Sequence, residues 1–121
     1  MITAWNVLKR LEHFMDVESG EKDRALSVCV ANLDKVLSFL AESSDRNDCR
    51  ITEAAAALSY YDLVVRAAGD EKEFVTSFKA GDVSVSKSRQ SLIEIASDIK
   101  RDALNALAPL CSDNDFFITL S

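Results

Sequence analysis

The chain has 121 residues, of which 48% are hydrophobic and 28% charged, as is typical of one soluble globular domain. Its net charge of −6 argues against a broad basic face for nucleic acid or an anionic membrane, and only three glycines and one proline disfavour a turn-rich β-sandwich. No apolar run approaches the ~20 residues of a transmembrane helix, and the N-terminal residues mix charges with apolar residues unlike a signal peptide. A cytosolic protein with one domain over residues 1–121 is therefore expected.

The first predicted helix covers residues 4–15 and begins after Thr3, which is suited to cap it. Apolar residues recur in it at three- and four-residue spacing and predict one buried face. They are Trp5, Leu8, Leu11 and Met15. A polar loop that contains Gly20 follows.

The second predicted helix covers residues 22–42 and has leucines seven residues apart on its core face. They are Leu26, Leu33 and Leu40, with Cys29 or Val30 and Val36 or Leu37 in the positions between. A coiled-coil seam is the alternative, but the repeat lasts fewer than three heptads, which favours a bundle core.

The third predicted helix covers residues 50–68, between Asp48 as N-cap and Gly69 as its end. Its predicted core face consists of Ile51, Ala54 or Ala55, Leu58, Tyr61 and Val65. Four consecutive alanines at 54–57 predict the close approach of another helix. Tyr60 and Tyr61 point about 100° apart and cannot share one face. Two half-buried tyrosines are expected, and the alternative places one inside and the other at an interface.

The fourth predicted helix covers residues 89–107, or begins nearer Leu92 if Ser91 and Glu94 form a capping box. Its predicted core stripe is Leu92, Ile95, Ala96, Ile99, Ala103, Ala106 and Leu107. Pro109 is expected to stop this helix. A short C-terminal tail, 111–121, ends in apolar residues that predict either a strand folded back on the core or a segment offered to a neighbour.

Between the third and fourth helices, residues 73–88 change from helical spacing to alternation, which predicts a β-hairpin or an extended loop. The strands would be 74–78 and 83–86, with Gly81 supplying the backbone freedom of the turn. An isolated hairpin is marginal in water. It therefore either packs across its own bundle or projects to be completed by another subunit. The predicted fold is mostly α, a bundle of about four helices.

Residue types that carry catalysis are sparse in this chain. Three cysteines at wide spacing do not form a disulfide framework, and the single histidine, His13, stands in no metal-ligand pattern with them. Asp98 and Asp102 share a helix face, but Lys100 and Arg101 beside them indicate an ordinary charged surface. Phosphate loops, nucleophile elbows and zinc-binding helices are not found. We expect no enzyme activity and no catalytic, metal-binding or cofactor-binding residues.

The start of the chain, Met1, Ile2 and Thr3, is followed by a leucine–lysine element at residues 8–11. An acidic loop, a long helix, an alanine-rich helix, the segment KAGDVS at 79–84 and a final helix come next. This layout resembles that of phage head–tail connector proteins, also called head-completion or neck proteins. The resemblance covers most of the chain in order of elements and about ten residues in motif.

The resemblance implies a structural subunit of a homo-oligomeric ring below the portal of a phage or prophage head. Such a ring extends the channel through which DNA passes without sequence-specific binding, and it docks a neck or tail protein. The location would be the virion, or the host cytoplasm during assembly, with no membrane partner and no cofactor. The subunit interface would include the hairpin residues Phe78, Lys79, Gly81, Asp82, Val83 and Val85. The alternative is a non-enzymatic helical adaptor or regulator that binds another protein; a connector needs a head-to-tail contact that closes a ring, and an adaptor does not.

Overall fold

The structure is a computed structural model that describes residues 2–17, 19–42, 44–69 and 85–111, without the side chains of residues 68 and 85–89. The helices in these ranges are α1 (Ala4–Leu11), α2 (Lys22–Ser38), α3 (Cys49–Ala68) and α4 (Val85–Leu107), with 3-10 turns at Ser19–Glu21 and Ala108–Leu110. The predicted mostly α bundle is confirmed in this part of the chain, which contains no strand beyond one isolated bridge.

Helix α3 is the centre of the bundle, because α1, α2 and α4 all pack against it. All seven side chains at positions 54–60 are buried, which covers about two full turns on every side. The alanines at 54–57 have at most 1% of their surface exposed. Their small side chains let the surrounding helices approach α3 closely, as the sequence predicted.

Helix α1 and the turn that follows it contact α3 through an ion pair and an aromatic stack. The Arg10 Nε–H donates to both carboxylate oxygens of Glu53, at 2.6 and 2.9 Å. The same guanidinium lies 4.9 Å from the ring centre of Phe14, which stacks on Tyr60 at 5.4 Å. Because residues 10 and 14 meet residues 53 and 60 in rising order, α1 runs parallel to α3.

Helix α4 runs antiparallel to α3, since Arg50 Nη1 donates to the Ala106 carbonyl at 3.5 Å while Lys100 Nζ lies 4.0 Å from the ring centre of Tyr61. The chain after α4 returns to the end of α2. Leu40 and Cys111 form an antiparallel bridge there.

Two hydrogen bonds to one carbonyl also hold the chain after α4 against the end of α2. The Ala41 N–H donates to the Leu110 carbonyl at 2.9 Å, and the Ser44 hydroxyl donates to the same oxygen at 2.6 Å. The start of the predicted C-terminal tail thus folds back on the bundle, while residues 112–121 lie outside the described part.

Several helix ends follow the sequence prediction and others do not. Thr3 is the N-cap of α1, where its backbone N–H donates to Asn6 Oδ1 at 2.8 Å. Pro109 sits in the 3-10 turn that follows α4, as expected of a helix stop. The predicted capping box at Ser91 is wrong, because α4 already begins at Val85 and Ser91 lies inside it. Helices α1 and α2 end four residues earlier than predicted, at Leu11 and Ser38.

The buried face of α1 and α2 differs in detail from the predicted stripe. In α1, Val7, Leu8 and Leu11 are buried, whereas Trp5 is 59% exposed and was wrongly placed in the core. In α2, the alternatives left open by the pattern resolve to Cys29 and Val36, and Leu33 is buried as predicted. Leu40 is buried too, although it lies two residues beyond the end of α2. Leu26 is only half-buried.

The predicted stripes of α3 and α4 are partly confirmed. In α3, Ile51, Leu58 and both alternatives, Ala54 and Ala55, are buried as predicted. Tyr60 and Val64 are buried instead of Tyr61, which is half-buried, and Val65, which is 43% exposed.

In the part of α4 whose side chains the structure describes, Ala96 and Leu107 are buried as predicted, and Lys100 and Leu104 are buried as well. Ile95, predicted as core, is 52% exposed, and Ile99 is half-buried.

The N-cap of α3 makes stability depend on pH. Asp48 Oδ1 accepts from the Arg50 backbone N–H at 2.9 Å, and the Arg50 side chain donates to both of its oxygens. The pKa of Asp48 falls from 3.8 to about 2, chiefly because of the Arg50 side-chain hydrogen bonds. The carboxylate therefore adds stability that is complete above the unfolded pKa of about 3.9 and is lost as pH falls through about 2.

We expect Asp48→Asn to be less stable than the natural chain at pH 7 and to lose less stability between about pH 4 and pH 2. Asparagine is also a good N-cap, so the change removes the charge and keeps the acceptor. Urea unfolding followed by circular dichroism at several pH values measures the difference between the two profiles. If the free energy of unfolding fell equally with pH in both proteins, the Asp48–Arg50 pair would contribute no pH-dependent stability.

Candidate interaction surfaces

Most of the predicted interface residues lie outside the described part of the structure. Phe78, Lys79, Gly81, Asp82 and Val83 belong to residues 70–84, and so does nearly all of the predicted hairpin. Val85 is the first residue of α4, so the second predicted strand, 83–86, is wrong at its last two residues.

A buried polar cluster joins α2 to α3. Asn32, only 2% exposed, donates through Nδ2 to Ser59 Oγ at 3.1 Å and to Asp62 Oδ2 at 3.0 Å. The Ser59 hydroxyl donates to the Ala55 carbonyl at 2.8 Å. These bonds satisfy the buried amide and hydroxyl groups, and they hold α2 against α3 at one position along the helices. The cluster stabilises the packing of α2 on α3, and the sequence pattern had not singled out Asn32.

Two of the three thiols, those of Cys29 and Cys111, are poorly placed for nucleophilic chemistry. Burial raises the pKa of the Cys29 thiol, an effect that a hydrogen bond with Ser59 partly offsets, and burial also raises the pKa of Cys111. Raised pKa values lower the thiolate fraction, and the thiolate is the reactive form. Cys49 is exposed at the start of α3. In the described ranges, no three His, Cys, Asp or Glu side chains lie close enough together to hold a metal ion.

The charged face of α4 divides into paired and unpaired groups. Arg101 donates to Asp98 at 2.9 Å, as the sequence spacing had suggested. Lys100 is different from the expected surface lysine, since only 9% of it is exposed and its ammonium lies over the Tyr61 ring. Asp102 is exposed and forms no ion pair with another residue of the described ranges.

Among the residues whose side chains the structure describes, four large apolar ones are exposed. They are Trp5 on α1, Val30 on α2, Val65 on α3 and Ile95 on α4, with exposed fractions of 59%, 45%, 43% and 52%. Single exposed apolar residues are common on protein surfaces. Trp5 and Ile95 are the two most exposed of the four.

Comparison of the chain with models of protein families, with curated proteins and with solved structures gave no match in any of the three. A search of the described helices found none with the length and apolar character needed to span a bilayer. The structure shows a helical bundle with several exposed apolar side chains in its described part.

Proposed function

We propose that this protein is a structural subunit of a phage or prophage head–tail connector, which assembles as a ring below the portal and docks a neck or tail protein. It would act in the virion, or in the host cytoplasm during assembly. The observation that carries the proposal is the order of sequence elements from residues 1–3 to the KAGDVS segment, which resembles that of connector proteins.

Features of the described residues are compatible with such a role. A ring subunit needs at least two separate contact surfaces, and apolar side chains are exposed on all four helices. A DNA channel must let phosphates slide, and a net charge of −6 disfavours tight binding to them. Neither feature distinguishes a connector from other assembling proteins, so the decisive test concerns the portal.

The test is to mix the purified protein with portal rings of a candidate phage and to image the particles by electron microscopy. We expect an added ring below the portal. Replacing residues 79–83 with a short Gly-Ser link should leave the subunit folded and abolish attachment, because the proposed hairpin contact is removed. Gly20→Val is the matched loop control, since a side chain at Gly20 would meet nothing within 4 Å. Normal attachment of the shortened protein would exclude the hairpin from assembly, and failure of the intact protein to bind would contradict the connector role.

The alternative, a helical adaptor that binds another protein, is favoured by the same exposed apolar residues. An adaptor functions as a monomer or dimer, whereas a connector requires a closing head-to-tail contact. The mass of the assembly bound to the portal therefore distinguishes a connector, which binds as a ring of many copies, from an adaptor, which binds as one or two copies.

A further inference from the structure

The contact between α2 and α3 near Asn32 includes several small side chains. On α3, Ser59 and Ala55, which lies one turn before it, are fully buried. On α2, Cys29 is fully buried as well, and its thiol is hydrogen-bonded with Ser59. Packed helices acquire a fixed relative position when ridges of large side chains enter the grooves between them. Methyl, thiol and hydroxyl groups form low ridges, so their packing restrains the sliding of α2 along α3 only weakly.

Asn32 adds a restraint that depends on position along the helix. Its Nδ2 donates to Ser59 Oγ at 3.1 Å and to Asp62 Oδ2 at 3.0 Å, which uses both hydrogens of the amide. Because only 2% of Asn32 is exposed, water is a poor substitute for either acceptor. The amide is therefore fully satisfied only where α3 presents two acceptors to it.

Sliding α2 along α3 by one turn would remove both side-chain acceptors. A step of four residues, about 6 Å along the axis, would bring Ala55 and Leu58 opposite the amide in one direction. In the other direction it would bring Leu63 and Arg66 there. Apolar side chains accept no hydrogen bond, and a guanidinium group only donates. A step of three residues would keep one acceptor of the two. Since an unpaired buried donor makes a packing roughly ten- to a hundredfold less populated, the native register is favoured over its neighbours.

We propose that the cluster of Asn32, Ser59 and Asp62 selects a single register of α2 on α3 and thereby gives the bundle one packing. The cluster adds this uniqueness without adding stability beyond that of an apolar contact. The reason is that an apolar side chain of similar size, once buried, stabilises a core as much as a satisfied polar group does. The inference concerns the bundle of one chain and does not depend on the connector function.

Asn32→Leu separates the selection of a register from stability. The change leaves no buried polar group of the cluster unpaired, because the Ser59 hydroxyl keeps its bond to the Ala55 carbonyl at 2.8 Å and Asp62 is exposed to water. We expect the midpoint of urea unfolding to stay equal or to rise. Amide NMR spectra of the natural chain should show one set of peaks. Those of Asn32→Leu should show broadened peaks for α2 and α3, or a second set with at least about a tenth of the intensity of the first.

A single sharp set of peaks in Asn32→Leu would overturn the selection of a register, and a lower midpoint would overturn the claim that the cluster adds no further stability. Asn32→Ala decides the case in which leucine does not fit, since it removes the amide without adding volume. We expect a lower midpoint for Asn32→Ala, because a cavity is left, together with the same broadened or additional peaks. One sharp set in the folded alanine variant, or failure of both variants to fold, would contradict the proposal.

Val36→Ala is the matched control for the two variants of Asn32. Val36 is fully buried one turn after Asn32 on α2, so its truncation weakens the packing of the same helix and leaves the polar cluster in place. We expect a lower midpoint of urea unfolding with one set of amide peaks. If Val36→Ala also gave several sets, any loss of packing would explain the additional peaks, and the assignment of the register to the cluster would fail.

Discussion

Replacing Leu104 with alanine should lower the free energy of unfolding by about 2–5 kcal/mol, the range for large-to-small changes at fully buried leucines. Leu104 is 1% exposed and belongs to the main hydrophobic core, where α4 packs against α3. The truncated side chain would leave a cavity that the surrounding helices cannot fill without losing their own contacts. Urea unfolding followed by helical circular dichroism measures the change.

Ile95→Ala is the control for Leu104→Ala, because it removes aliphatic carbons from the same helix at a side chain that is 52% exposed. Its effect should stay within about 0.5 kcal/mol, since little buried surface is lost and alanine favours the helix. The sequence pattern alone placed Ile95 in the core and did not include Leu104. Equal losses in the two variants would show that α4 is rotated relative to the structure.

Enlarging the core at Ala56 should also be costly. Ala56 is fully buried in the part of α3 that is covered on every side. Leucine at this position would have to push a neighbouring helix outward or adopt a strained rotamer, at a cost of about 1–3 kcal/mol. A lower midpoint of thermal unfolding, with helical content retained at low temperature, is the expected result.

Ala31→Leu provides the comparison for Ala56→Leu. Ala31 is exposed on α2, so leucine there adds surface to solvent and should change stability by no more than about 0.5 kcal/mol. If Ala56→Leu were equally mild, the neighbouring helices would not lie as close to α3 as the structure places them.

The number, order and approximate position of the helices could be predicted from the spacing of apolar residues, and some of their ends from caps or stops that act locally. Asp48 and Pro109 are examples, since their effects depend on the adjacent backbone alone. The buried faces were harder to predict. In α3 apolar residues occur on every side, and the pattern could not decide between Tyr60 and Tyr61, which differ by one position. A helix surrounded by three others has no single stripe to find.

For a related reason, the apolar pattern could not predict which side chains are exposed. Trp5 and Ile95 occupy positions with helical apolar spacing, and that spacing is the same whether a side chain is buried by its own chain or by another copy. Only the position of α1 and α4 around α3 separates the two cases. The buried Asn32 shows the converse, because its polar side chain gives no apolar signal although it is buried and bonded to Ser59 and Asp62 of α3.

The junction where the chain returns to α2 affects the order of folding. Ser44 and Leu110 are 66 residues apart in sequence, so the hydrogen bond between them closes most of the chain into a loop. The entropic cost of closure rises with loop length, and contacts of this separation are slow to form. Helices α1 to α3 can associate through nearer neighbours first. Docking of the end of α4 is then a late step, and loosening this junction should speed unfolding more than it slows folding.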